Sequence, residues 1–153
     1  MPSLRLLNLW LHLCAASVWI GAAVSIAFLW LPQIRAKIDP ACWEELLLGL
    51  GKRYVRWAWV AIELLVLTGI FNLLSVGIDT GFAFPPAFLR RLIAKLLVVL
   101  VMIGLQIGLS LAWVPRLARG LSAGRAERAV CRALVATSLG GGVVLWLAMA
   151  LRG

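Results

Sequence analysis

The sequence predicts an all-α protein, an integral membrane bundle of four transmembrane helices. Apolar residues fill 63% of its 153 positions, and the mean hydropathy is +1.01. Four apolar runs are long enough to cross a hydrocarbon core, which takes about 20 residues of helix. Their apolar residues are continuous and do not alternate, which excludes a β-barrel, the other structure that satisfies its backbone in lipid. We expect a single domain over residues 1–153.

In chain order, the predicted spans are residues 6–31, 57–76, 92–114 and 133–151. The first is too long for the apolar core of a signal peptide, about 7 to 15 residues, and is expected to stay in the protein. Residues 42–54 mix apolar and charged side chains, which is typical of a short helix at the membrane surface before the second span. Pro32 and Pro115 are expected to end the first and third helices, because proline lacks the N–H that a helix interior needs.

The distribution of Lys and Arg predicts the orientation. Ten of the 15 basic residues lie in the loops that join the first span to the second and the third to the fourth. Those loops are expected inside, so both termini and the middle loop should face outward, into the periplasm. The four basic residues on that side are Arg5, Arg90, Arg91 and Arg152. The net charge of +9 then fits anionic lipid headgroups. The expected partner is the lipid bilayer and not nucleic acid, because the basic residues flank spans.

Three polar residues from different spans fall at one predicted level near the outer face. At 1.5 Å per residue, His12, Asn72 and Lys95 lie about 10, 9 and 12 Å outward of the midplane. As neutral imidazole, His12 can ligate copper or haem iron, or it can be a hydrogen-bonded link to Asn72 or a backbone carbonyl. Lys95 can reach the outer headgroups or bind an anion such as a haem propionate. Met102 shares a helix stripe with Lys95 and is a second candidate copper ligand.

A second polar level is predicted on the inner side of the midplane. Its members are Glu63, Gln106, Thr137 and Ser138. A charged group at such depth costs roughly 2.5 to 3.5 kcal/mol on insertion scales and is usually functional. Two roles for Glu63 follow, a proton relay or a buried hydrogen-bonding link between spans.

Small residues form a ridge on the third span. Gly104, Gly108 and Ala112 have the small-xxx-small spacing that lets helices approach closely. The simplest expectation is packing within the chain, and the alternative is a seam in a homodimer or larger membrane complex. The sequence has no zinc spacing, nucleotide-binding loop or catalytic triad, and with one histidine a single chain cannot form a cage of several histidines around copper.

Scattered positions through the first three spans resemble the copper-resistance protein D superfamily. They are Leu11-His12, Trp19, Gly21, Pro32, Arg53-Tyr54, Leu67-Thr68-Gly69-Ile70, Leu89-Arg90-Arg91-Leu92 and Lys95-Leu96. That group is itself similar to the bacterial haem-dependent protoporphyrinogen oxidases of four-helix type. The resemblance implies an inner-membrane bundle associated with copper uptake or b-type haem, with His12 and Lys95 at functional positions. Members commonly carry a further histidine near the inner end of the third span. Residues 109–115 have none, which weakens copper more than haem.

Three hypotheses for the function follow. The first is copper handling, by transport or binding, through His12 and Met102. The second is a b-haem protein for electron transfer or porphyrinogen oxidation, with His12 as axial ligand, Lys95, Arg90 and Arg91 at the propionates, and Asn72 as a further polar contact. The third is a cofactor-free accessory subunit of a larger membrane complex. Whether the chain is an enzyme stays open at this point.

Overall fold

The computed structural model describes residues 2–35, 37–119 and 123–150, and every regular element within them is helical. In chain order these are α1 (Pro2–Val24), a π-helical turn (Ser25–Trp30), α2 (Leu31–Arg35), α3 (Pro40–Thr80), α4 (Pro86–Gly108), a second π-helical turn (Leu109–Trp113), α5 (Val114–Ala118) and α6 (Ala123–Ala150).

Four helical stretches in the described part of the chain are long and apolar enough to span a membrane. They are Ser3–Arg35, Cys42–Thr80, Pro86–Arg116 and Glu127–Met149. The predicted fold class is therefore confirmed, whereas the orientation of the termini stays a prediction. Arg152 and the last residue of the predicted fourth span lie outside the described residues. Following the predicted orientation, we call the end of the bundle with Arg5 and Asp79 the outer end and the opposite end the inner end.

The two prolines do not end their helices, so this expectation from the sequence is wrong. Pro32 lies in α2 and Pro115 lies in α5, and each α-helix follows directly on a π-helical turn. Proline has no N–H, and its ring collides with the carbonyl oxygen four residues earlier. The wider π-helical turn accommodates both features, so each helix continues for several residues beyond its proline.

The second span is longer than predicted, because the expected surface helix runs into it without a break. Trp43 and Leu47, near the start of α3, are buried and close the inner end of the bundle. Pro40 occupies the first turn of α3, where a missing N–H costs nothing. At the other end Gly81 takes a left-handed conformation, with φ of 58°, and its N–H bonds the carbonyls of Gly77 and Ile78. Glycine adopts this helix-ending conformation without strain.

Close packing of α6 against α1 and α4 depends on two consecutive glycines. A Cβ atom at Gly141 would lie 2.5 Å from Cγ2 of Ile20, and one at Gly140 would lie 2.9 Å from Cγ of Met102.

The predicted ridge of small residues on the third span does not pack in this way at Gly104. Gly104 is exposed, and a Cβ atom there would meet nothing within 4 Å. The expectation that this glycine packs within the chain is therefore wrong, because that side of α4 faces away from the bundle.

We expect Gly141→Ala to make the protein less stable than Gly142→Ala does. The added methyl group at 141 collides with a branched side chain, and overpacking of this kind costs roughly 1–3 kcal/mol. A Cβ at Gly142 meets nothing within 4 Å. Thermal unfolding in detergent measures the difference, and equal stability of the two variants would contradict the packing described.

Candidate functional site

An apolar pocket of about 370 Å³ lies in the outer half of the bundle, between α1, α3, α4 and α6. Two ionisable side chains line it, His12 from α1 and Lys95 from α4. The thioether of Met102 lies deeper in the same pocket. Most of the other lining residues are aliphatic. The pocket thus combines one imidazole, one ammonium group and one soft sulfur in otherwise apolar surroundings.

A hydrogen bond to α3 orients the imidazole of His12. Its Nδ1 lies 2.7 Å from the hydroxyl oxygen of Thr68, and that hydroxyl donates its one proton to the carbonyl of Leu64. The hydroxyl is then available to His12 as an acceptor, which favours the neutral tautomer with the proton on Nδ1 and the lone pair on Nε2. Gly69 lies against the ring, because a Cβ there would lie 3.6 Å from Cε1. Nε2 is thus the ring nitrogen that can donate a lone pair to a ligand in the pocket.

Asn72 supports this arrangement from outside the pocket. Its side-chain oxygen accepts a 2.9 Å hydrogen bond from Nδ2 of Asn8, and Asn8 also donates to the carbonyl of Thr68 at 3.0 Å. Asn72 does not line the pocket but links α1 to α3, and its predicted contact with a cofactor stays a prediction. Asn8 is absent from the predicted site residues, and Thr68 has no predicted role. The sequence spacing could have identified both residues. Asn8 is four residues from His12, and Thr68 is four residues from Asn72, so each pair shares one helix face.

Arg90 and Arg91 do not line the pocket with Lys95, and their role at the propionates of a haem stays a prediction. Both are exposed in the first turns of α4. Only Lys95, which is half-buried, reaches it. The cause is helix geometry, since residues four and five positions before Lys95 lie one turn closer to the outer end.

His12 and Met102 lie at different depths of the pocket. The close approaches of Gly140 to Met102 and of Gly141 to Ile20 place Met102 near the level of Ile20. His12 is eight residues before Ile20, which corresponds to about 12 Å along the helix. Bonds from a metal ion to nitrogen or sulfur are about 2.0 to 2.3 Å long. The backbones of the two residues are therefore offset by far more than the length of one metal–ligand bond.

The inner polar level forms without Glu63. Gln106 and Thr137 are buried, and the buried hydroxyl of Ser138 donates to the carbonyl of Leu134 at 2.9 Å. Glu63 is exposed, while the preceding residue, Ile62, faces the core. Successive residues are rotated by about 100° on a helix, so Glu63 has the predicted depth but points away from its predicted partners. Its assignment to a buried layer with them is wrong.

Within residues 2–35, 37–119 and 123–150, no group of three or more His, Cys, Asp or Glu side chains is placed to hold a metal ion. Cys14 and Cys42 are exposed, and Cys131 is half-buried. Metal binding in the described pocket would therefore depend on the imidazole of His12 and the thioether of Met102.

Comparison with the models of protein families gives a match to copper resistance protein D (CopD) over residues 48–151. The matched region covers most of α3 and continues through α6. It includes Thr68, Lys95 and Met102, while His12 precedes it. Searches of curated proteins and of solved structures gave no match.

The tautomer of His12 can be tested directly, because the chain has one histidine. With ¹⁵N-labelled histidine, we expect NMR shifts of a ring protonated at Nδ1 and unprotonated at Nε2. Thr68→Val removes the acceptor and should yield a mixture of tautomers. Thr80→Val is the control, because that hydroxyl bonds the carbonyl of Val76 on its own helix. Unchanged signals in Thr68→Val would contradict the hydrogen bond.

Proposed function

The chain belongs to the copper resistance protein D family, and from that premise we propose that it handles copper through His12 in the outer half of the membrane. The match covers more than half of the chain. The described residues also contain four helices that are long and apolar enough to span a membrane. The protein is thus a multi-pass protein of the bacterial inner membrane. The observation that carries the proposal is the 2.7 Å contact between Nδ1 of His12 and the hydroxyl of Thr68 at the wall of an apolar pocket, because it leaves Nε2 as the ring nitrogen available to a metal ion.

The chemistry of the pocket supports passage of copper more than storage. Imidazole and thioether are suitable ligands for copper, and Cu(I) favours soft sulfur. His12 and Met102 provide one such group each, at positions about 12 Å apart by helix rise. A lone ligand binds an ion weakly, which suits an ion that is received at His12 and then released toward Met102. The hydrogen bond from Nδ1 to Thr68 raises the basicity of the ring as a ligand.

A second candidate function is binding of b-type haem, and the position of Lys95 favours it. An ammonium group in the pocket repels a copper cation but attracts an anionic propionate. Haem takes an axial imidazole, apolar walls and a cationic partner for its carboxylates, and His12, the aliphatic lining and Lys95 have these properties. Bound haem would supply electron transfer or porphyrinogen oxidation. His12 would hold the iron and Lys95 would neutralise a propionate.

In a variant whose three free cysteines are replaced by serine, we expect His12→Ala to abolish Cu(I) binding by the purified protein, measured by competition with a chromophoric chelator. Thr68→Val should weaken binding by roughly 10- to 100-fold, because it removes the group that orients the ligand. Met149→Leu is the matched control, because this thioether is exposed and does not line the pocket. Binding that survives His12→Ala would overturn the proposed site.

An absorption spectrum of the same preparations separates the two candidates. A Soret band that is lost in His12→Ala and weakened in Lys95→Gln would establish haem in place of copper. A colourless protein with His12-dependent copper binding would support the first proposal. Absence of both ligands together with a fixed copurifying partner would leave the role of an accessory subunit.

A further inference from the structure

A groove of about 610 Å³ lies at the inner end of the bundle, where α4 and the second π-helical turn meet α6. Leu105 of α4 and Trp113 of the π-helical turn line one side of it. The other side is formed by three arginines and three alanines of α6, which are Arg125, Arg128, Arg132, Ala129, Ala133 and Ala136. The groove has no residue in common with the pocket that contains His12. It is therefore separate from the site proposed for copper or haem.

The lining residues of α6 form one stripe that is cationic at the inner end and apolar farther in. They recur at intervals of three and four residues, so they share one face of the helix. Arg125, Arg128 and Arg132 are exposed and extend over about 10 Å along the helix axis, and Ala136 lies about 6 Å beyond the last of them. The groove thus changes from charged to apolar toward the centre of the membrane.

The register of α4 against α6 places an aliphatic side chain opposite the apolar end of this stripe. Met102 lies against Gly140, and the two helices are antiparallel. Leu105 is three residues after Met102 and Ala136 is four residues before Gly140, so both lie about one turn inward of that contact. Because alanine side chains are short, they leave a channel between the helices at this level.

An aromatic ring lines the charged end of the groove. Trp113 is eight residues beyond Leu105, which corresponds to about 12 Å of helix. Its ring lies along the third span, because a Cβ atom at Gly108 would be 3.8 Å from its Nε1. The guanidinium carbon of Arg116 lies 4.9 Å from the centre of this ring. The end of the groove that contains Trp113 therefore has a further cation beside it, and indole rings favour the headgroup level of a membrane.

The charge that lines the groove is of one sign. No acidic side chain is among its lining residues in the described part of the chain. Glu127 is the one acidic residue of α6, and its carboxylate forms an ion pair at 2.9 Å with Arg35. The guanidinium of Arg128 is directed toward the inner end, because its Nη1 would lie 3.8 Å from a Cβ atom at Gly124. The charged end of the groove is therefore complementary to an anion.

We propose that this groove binds one anionic phospholipid of the surrounding leaflet, with its phosphate at Arg128 and Arg132. These two residues are one turn apart, about 6 Å along the helix, so both can contact the same phosphate group. Guanidinium groups form paired hydrogen bonds to phosphate oxygens. One acyl chain lies along Ala133, Ala136 and Leu105. Basic pockets between spans on the cytoplasmic side bind anionic headgroups, and the apolar half of this groove adds a place for the chain that a soluble anion lacks.

Native mass spectrometry of the detergent-purified protein tests this proposal. The probes are phosphatidylglycerol, which has a net negative charge, and phosphatidylethanolamine with the same acyl chains, which has none. We expect the protein to retain one molecule of phosphatidylglycerol at lipid concentrations that leave phosphatidylethanolamine unbound. Equal retention of the two lipids would overturn the proposal.

Two pairs of substitutions connect this retention to the groove. Arg128→Gln with Arg132→Gln should weaken binding of phosphatidylglycerol on the order of 30-fold, because each arginine near an anionic headgroup contributes about fivefold. Lys52→Gln with Arg56→Gln is the matched control and should leave binding unchanged. It removes two exposed charges with the same four-residue spacing from α3, and neither residue lines the groove. Equal affinity of the two double variants for phosphatidylglycerol would reject the groove as the site.

A third substitution distinguishes a lipid from a phosphate group alone. Ala136→Trp fills the apolar end of the groove without changing its charge, and it should weaken retention of phosphatidylglycerol at least severalfold. Leu139→Trp is its control, because that residue is exposed on α6 and does not line the groove. Undiminished retention in Ala136→Trp would show that no acyl chain lies there and would reject the proposal. The NMR signals of His12 report whether each variant is folded, and Arg128→Gln alone, with an expected loss of about fivefold, replaces the double variant if that does not fold.

Discussion

The close approach of α6 to α1 and α4 is the constraint on which the rest of the bundle depends. Gly140 and Gly141 leave no space for a side chain against Met102 and Ile20. In lipid, helices associate through such packing, because apolar side chains gain little by leaving apolar solvent. This contact fixes Met102 as the floor of the outer pocket. It also encloses Gln106, which would otherwise face hydrocarbon.

Contacts between α1 and α3 then fix the position of the imidazole. Arg5 and Asp79 form an ion pair with two hydrogen bonds at the outer end, and Asn8 bonds both Asn72 and the backbone of α3 farther in. His12 follows one turn deeper. A succession of polar links along one seam determines both the register and the rotation of α1 on α3. The histidine is thus held by the same interactions that assemble the two helices.

Hydropathy is enough to predict the fold class and the approximate spans, since lipid imposes them on the sequence. Depth along each helix is also predictable, which is why His12 and Lys95 are expected at one level. Rotation about the helix axis is not, because a helix that is apolar on every side gives no signal of which side faces its neighbours. Glu63 shows this limit. Gly140 shows a second limit of prediction from the sequence, because the close packing of a glycine is evident only when the opposing helix is known.

The two π-helical turns have a consequence for the inner end of the molecule. Each contains about one residue more than an α-helical turn, so the side chains that follow are rotated by roughly 100° relative to an unbroken helix. With this shift Arg35 meets Glu127 at 2.9 Å, and Val114 packs against the backbone of Gly51. The extra residue sets which neighbours the following side chains face. The length of each turn is therefore as constrained as the identity of the residues in it. A one-residue deletion there would turn the inner-end contacts of the bundle toward the wrong neighbours while leaving its hydropathy profile almost unaltered.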